Sequence, residues 1–164
     1  MKKVLVLLGL VSVGFARVEV IDPMKDRKGF EVSLFVGVSD YKARALKTSA
    51  LVGFSVDSRV KYPFLVGGGV NVGWTSDLSV SNPHARLKVR FPLVDRLKLD
   101  PYITVGAGYA HNDKTDKKKL MGQIGAGLSV LYFFPSLHVG LAVGANAYSD
   151  SRFNQFYVGG VVGF

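Results

Sequence analysis

Residues 120–149 read LMGQIGAGLSVLYFFPSLHVGLAVGANAYS, a run without a single Asp, Glu, Lys or Arg. The hydrophobicity inside it has a period of two. Leu120, Ile124, Ala126, Leu128, Val130 and Tyr132 alternate with Met121, Gln123, Gly125, Gly127 and Ser129. After the Phe-Pro-Ser break, Leu137, Val139, Leu141, Val143 and Ala145 alternate with His138, Gly140, Ala142, Gly144 and Asn146. Period two is the signature of a strand, and Pro135 with the repeated glycines breaks any spanning helix. A soluble hairpin of this length would carry charge on its wet face. This one carries none, so its apolar face meets lipid and its small, polar face meets the inside of something narrow.

The same alternation extends over the chain from Phe30. It predicts strands around Phe30–Val38, Ser49–Val56, Phe64–Trp74, His84–Phe91, Tyr102–Tyr109, Leu120–Tyr132, Leu137–Asn146 and Gln155–Phe164, each near the length of a tilted transmembrane strand. The connections read, in order, YKARALKT, DSRVKY, TSDLSVSNP, PLVDRLKLD, HNDKTDKKK, FPS and SDSRFN. An even number of strands returns both termini to one side, the periplasmic side of an outer membrane. The fold predicted is all-β, an eight-stranded antiparallel up-and-down transmembrane barrel over residues 29–164.

Ahead of it, MKKVLVLLGLVSVGFA has two lysines, an apolar run and small residues at Gly14 and Ala16. That is the layout of a secretory signal peptide cleaved after Ala16, with an apolar run too short to span a bilayer. Residues 17–28 read as a Pro-broken periplasmic lead-in. The formal net charge of +9 is a basic excess that, in an exported protein, points to lipid phosphates or lipopolysaccharide rather than nucleic acid. With no cysteine there is no disulfide, lipoprotein anchor or thiolate metal site.

The inward set is small: Gly67, Gly69, Gly73, Gly106, Gly108, Gly125, Gly127, Gly140, Gly144, Gly159 and Gly163. Small residues relieve crowding in an eight-stranded barrel, whose interior is only wide enough for side chains. Phe64, Trp74, Phe91, Tyr109, Tyr132, Phe156 and Phe164 fall at strand ends, as the interfacial girdles of a membrane barrel require.

A signal peptide, eight alternating strands, short inner turns and a terminal Phe preceded by apolar residues at every second position resemble the small outer-membrane barrels of the OmpA/OmpX type. The resemblance implies a monomer without a peptidoglycan-binding domain. It also implies that Phe156, Val158, Val162 and Phe164 form the signal read by the outer-membrane assembly machinery; Gly160 departs from that pattern.

The sharpest functional feature is Arg86, Lys88 and Arg90 on one face of one strand. Inside a barrel three cations need anions, and Glu31 and Asp57 are the candidates, with Tyr102, Gln123, His138 and Tyr148 as hydrogen-bond partners. The expected role is a polar network that plugs and stiffens the lumen, within a structural or surface-interaction protein of the envelope. A narrow anion-preferring pore is the alternative. A soluble lipocalin-like carrier would show the same alternation turned inside out. An enzyme acting on lipid A would need a Ser–His–acid set. His138 follows Ser136, His111 neighbours Asp113, and His84 lies near Ser79 and Ser81, but none forms a distinctive motif. The expectation is therefore non-enzymatic, without cofactor or metal. In the outer loops Lys42, Arg44 and Lys47, and Lys114, Lys117, Lys118 and Lys119, are placed to meet lipopolysaccharide phosphates.

Overall fold

A computed structural model describes residues 29–42, 48–112 and 114–164. The expected signal peptide and lead-in, with Arg44, Lys47 and Asp113, lie outside them. The elements are β1 (Phe30–Tyr41), β2 (Thr48–Lys61), β3 (Phe64–Trp74), β4 (Leu78–Val89), β5 (Phe91–Val94), β6 (Leu97–Asn112), β7 (Lys117–Phe133), β8 (His138–Tyr148), a 3-10 turn (Ser151–Phe153) and β9 (Gln155–Gly163). Antiparallel pairing runs β4-β3-β2-β1-β9-β8-β7-β6, and β6 pairs back onto β4 to close the ring. The short β5 continues β4 on the same register against β6: Lys88 faces Tyr102 and Phe91 faces Leu99. The two segments, interrupted at Arg90, fill one place, so the barrel has eight staves in up-and-down order.

Closure is made by β1 and β9, paired from Ser33 with Gly163 to Tyr41 with Gln155. Beyond that ladder, Phe164 N–H donates to Val32 O (3.0 Å) and Val32 N–H to Phe164 O (2.9 Å). The last strand is thus held along its length, and no sheet edge remains open.

Several strand limits differ from the sequence expectation. β4 begins at Leu78 rather than His84, because Ser79–Pro83 pair with β3 and Leu78–Ser81 with β6, leaving only Thr75–Asp77 of the third connection. β6 begins at Leu97, because the segment read as PLVDRLKLD is almost wholly strand and leaves a turn of Asp95–Arg96. Asp57 stands well inside β2 rather than at its end. Lys117, Lys118 and Lys119 belong to the far end of β7, not to a loop.

The faces are those of a membrane barrel rather than a soluble carrier. Buried side chains include Asp57, Asn82, Lys88, Arg90, Lys98, Asp100, Gln123 and Asn146. Val36, Phe54, Val66, Ile103, Ile124, Leu141 and Phe156 are exposed to the outside. Such an inversion is stable only where the exterior meets hydrocarbon. Phe64, Trp74, Tyr109, Tyr132, Phe156 and Phe164 all point outward and are exposed, and Phe91 is half-exposed.

Inward glycines make room for specific partners. Tyr102 stands directly opposite Gly127, and Tyr157 opposite Gly144, and a Cβ at either glycine would fall within the tyrosine ring. The outward Gly122 has no atom within 4 Å of a would-be Cβ. Overpacking a filled interior costs about 1–3 kcal/mol. Gly144→Val is therefore expected to lower unfolding stability in lipid vesicles by about that amount. Gly122→Val leaves it unchanged. Urea titration followed by fluorescence of Trp74, the one tryptophan, reads both.

Candidate functional site

Two ion-pair triads fill the interior at the end where the described chain begins and finishes. In the first, Arg90 lies between two carboxylates. Its Nε donates to Asp100 Oδ1 (3.0 Å) and its Nη2 to Asp100 Oδ2 (2.6 Å), while Nη1 and Nη2 donate to the two oxygens of Glu31 (2.5 and 2.9 Å). Its guanidinium also lies 4.7 Å from the Phe133 ring centroid. In the second, Asp57 lies between two cations. Arg86 grips it through Nε (3.1 Å) and Nη2 (2.5 Å), and Lys88 Nζ approaches Oδ2 at 2.6 Å. One triad is formally negative and the other positive, so side by side they offset each other. Arg59, 3.8 Å from Glu31, joins them at the mouth.

Register explains why these groups meet. Asp57, Gly67 and Arg86 lie in one row across β2, β3 and β4. Gly67 carries no side chain, so the carboxylate and guanidinium join across the strand between them. On the next interstrand line, Arg90 at the β4/β5 break stands at the register position of Asp100 on β6. Asp100 is fully buried and was missed by the sequence reading, as was buried Lys98. The signal was present: Lys98, Asp100 and Tyr102 alternate with Leu97, Leu99, Pro101 and Ile103. The sequence reading places Lys98 and Asp100 in the connection PLVDRLKLD, outside any strand.

Above the triads the interior becomes neutral. Tyr102 and Tyr157 share a hydroxyl hydrogen bond (2.9 Å), with Arg86 5.8 Å over the Tyr102 ring. Gln123 donates to Thr104 (3.0 Å) and to Asn146 (2.7 Å), Asn146 donates to Gln155 (2.9 Å), and Gln155 donates to the Tyr41 hydroxyl (2.9 Å). Gln123 and Tyr148 were expected beside the cations. The structure places Gln123 in this amide ladder, and Tyr148 near the far end, where its hydroxyl accepts from Asn82 (3.2 Å). There Tyr41, Val80, Ala110, Met121 and Tyr148 form an apolar layer with Leu78 and Phe153 packed on it.

The three histidines lie apart, each with its own partner. Ser136 lies exposed in the β7–β8 turn, whereas His138 points inward, with Nε2 3.3 Å from Ser33 Oγ and its ring stacked on Phe133. His111 meets Asp116 (3.1 Å), and His84 lies against the Asn82 carbonyl (3.0 Å). Among the described residues no group of three His or acidic side chains has the geometry to hold a metal. At the loop end Lys114 donates to Asp77 (2.7 Å), and Asp150 accepts from Arg152 (2.7 Å) and Lys119 (2.5 Å). Those two donors, Arg152 foremost, hold the Asp150 carboxyl below the usual carboxylate range. Lys42, Lys117 and Lys118 are exposed.

Removing one partner of a buried pair strands the other, at about 3–5 kcal/mol. Arg90→Met, which leaves Glu31 and Asp100 without their cation, is expected to destabilise the barrel by that order in vesicle urea titrations, and Arg90→Met combined with Glu31→Gln and Asp100→Leu to recover part of it. Asp77→Asn, in an exposed loop pair, leaves the midpoint unchanged.

No protein-family model and no curated protein matches the chain. Solved structures do. Neisserial surface protein A matches with a TM-score of 0.67 and 13% identity, over 82% of this chain and 95% of that one. The N-terminal β-barrel domain of Pseudomonas aeruginosa OprF matches at 0.60 with 15% identity, over 84% and 98%. Ail, the attachment invasion locus protein of Yersinia pestis, matches at 0.58 with 11% identity, over 84% and 100%. At such identities the likeness is one of fold. Together with the inverted faces and the closed ring, it makes this chain an eight-stranded barrel with the fold of the small outer-membrane proteins of OmpA/OmpX-type architecture.

Proposed function

We propose that the protein is an outer-membrane barrel with a structural or surface-interaction role in the cell envelope, its lumen plugged by side chains and without enzymatic activity. The observation that carries this reading is the filled interior. A void of about 40 Å³ lies at mid-lumen, among residues that include Asn82, Lys88, Tyr102 and Tyr157. That is room for water molecules and not for a permeating solute. The pore reading asks the lumenal cations to face a passing anion. Arg86 and Lys88 already share Asp57, and Arg90 is held by Glu31 and Asp100.

Against enzymatic chemistry stands the surroundings of the Ser33–His138 pair. Ser33 sits in β1 between β2 and β9, in register with Ser55 and Gly163. Backbone amides in such a ladder are directed at neighbouring strands, whereas an oxyanion hole needs them aimed at the reacting carbonyl. Outer-membrane placement agrees with the apolar belt and the aromatic strand ends, and exposed Lys42, Lys114, Lys117 and Lys118, with Lys119 beside Asp150, are set for lipopolysaccharide phosphates. The apolar outward face of β9, ending in Phe164, suits recognition by the assembly machinery.

Cell fractionation with gel mobility before and after boiling tests the location and the barrel, with a heat-modifiable outer-membrane band expected. Planar-bilayer recording tests the plug. No resolved conductance steps are expected, and steady anion-selective steps would replace the plug with the pore. Unchanged lipid A acylation on gene deletion is the expected outcome for a non-enzyme.

A further inference from the structure

The outer wall of the barrel is not uniformly bulky. Over the loop-end half of β6–β9 it sinks into an open depression of about 750 Å³, walled by Val105, Ile124, Ala126, Ala145, Ala147 and Phe156. The register explains the dent: Ala126 faces Ala145, and Ile124 faces Ala147, so small side chains lie side by side on neighbouring strands. On the same strands nearer the termini the outward faces are large, with Leu128 opposite Val143 and Val130 opposite Leu141. Just above the dent, Ala107 faces the outward Gly122, where a side chain would meet nothing within 4 Å. Barrel packing therefore does not require these small residues, in contrast to the inward glycines.

The depression opens toward charge. Lys42 and Asp40 line its edge. On the outward faces of β6 and β7, climbing toward the loops, come Ala107 with Gly122, then Tyr109 with Leu120, then His111 with Lys118. Lys118 lies 3.8 Å from Asp116, while Lys119 and Arg152 share the single carboxylate of Asp150, so that second cluster keeps a positive charge. The sequence is apolar trough, aromatic step, and a rim where Lys42, Lys118, Lys119 and Arg152 outnumber Asp40, Asp116 and Asp150. It matches an amphiphile with hydrocarbon chains below and anionic groups above.

We propose that this depression binds an acyl chain of lipopolysaccharide, whose phosphates are met by Lys42, Lys118 and Arg152. The inference rests on the outer-membrane reading and deepens it, moving the lipid contact from the loops alone to a site on the barrel wall.

The test uses the full chain refolded in detergent, with rough lipopolysaccharide titrated in and bound copies counted by native mass spectrometry. One lipopolysaccharide per barrel is expected. Ala126→Phe with Ala145→Phe fills the trough and is expected to weaken binding about tenfold, the effect of 1.4 kcal/mol. Lys42→Gln with Lys118→Gln is expected to weaken binding of lipopolysaccharide but not of its dephosphorylated form. A heat-modifiable band shows that each variant is folded. Should the filled trough not fold, the single change Ala147→Leu narrows it at an exposed position of its lining. Equal affinity of the wild type and the filled variant overturns the proposal. So does equal retention of phosphatidylglycerol, which would mean a general anionic-lipid surface. A shift in oligomeric state of the filled variant with lipid affinity unchanged would overturn it in favour of a contact between copies. Fractionation decides the outer-membrane reading separately, because location does not depend on lipid retention in detergent.

Discussion

Arg90, held between Glu31 and Asp100 with Phe133 against its face, is the interaction around which the terminal end of the barrel is arranged. A guanidinium cannot shed its proton, so inside a wall of hydrocarbon it has to be met on all sides. Three strands contribute to meeting it: β1 supplies Glu31, β6 supplies Asp100 and β7 supplies Phe133. The strand carrying Arg90 is interrupted at that residue, yet the ladder is not lost, because Arg90 N–H still donates to Pro63 O at 2.9 Å. Backbone and side chain are both satisfied where the stave breaks.

The second triad solves the matching problem with opposite sign. Asp57 accepts two cations where Arg90 donates to two anions. A single pair of either kind would leave a lone pair or a donor unmet, and a triad alone would leave a net charge. Two triads of opposite sign at one end of the lumen cancel each other's charge, with Arg59 adding a cation at the mouth. The polar ladder of Gln123, Asn146 and Gln155 and the apolar layer around Met121 then grade the interior from charged to neutral to hydrocarbon.

Much of this could be read from the residues. Alternation showed eight staves and which face of each points inward, and the uncharged run from Leu120 to Ser149 distinguished lipid from water outside. Arg86, Lys88 and Arg90 announced an anionic lumen. Their actual partners were less legible. A period of two fixes the face but leaves a strand free to slide by two residues against its neighbour. The meeting of Asp57 with Arg86 across Gly67 depends on that slide. Asp100 closes a segment read as the connection PLVDRLKLD, whereas in the structure that segment opens a long strand whose Pro101 takes the lipid face opposite Leu128. Ser33 as the partner of His138 joins residues far apart in the chain, so the nearer Ser136 was the natural guess.

The tyrosine–glycine pairs carry a consequence for how such a sequence can change. Tyr102 with Gly127, and Tyr157 with Gly144, each place one large and one absent side chain at a shared register position. What the barrel's cross-section constrains is the combined volume of the pair, not the identity of either residue. A homologue that swaps the two, glycine where the ring was and a ring where the glycine was, keeps the same girth. One that alters a single member bulges or hollows the wall. Drift in this interior is therefore expected to proceed by coupled exchanges between adjacent strands, so that relatives share a diameter long after they cease to share residues.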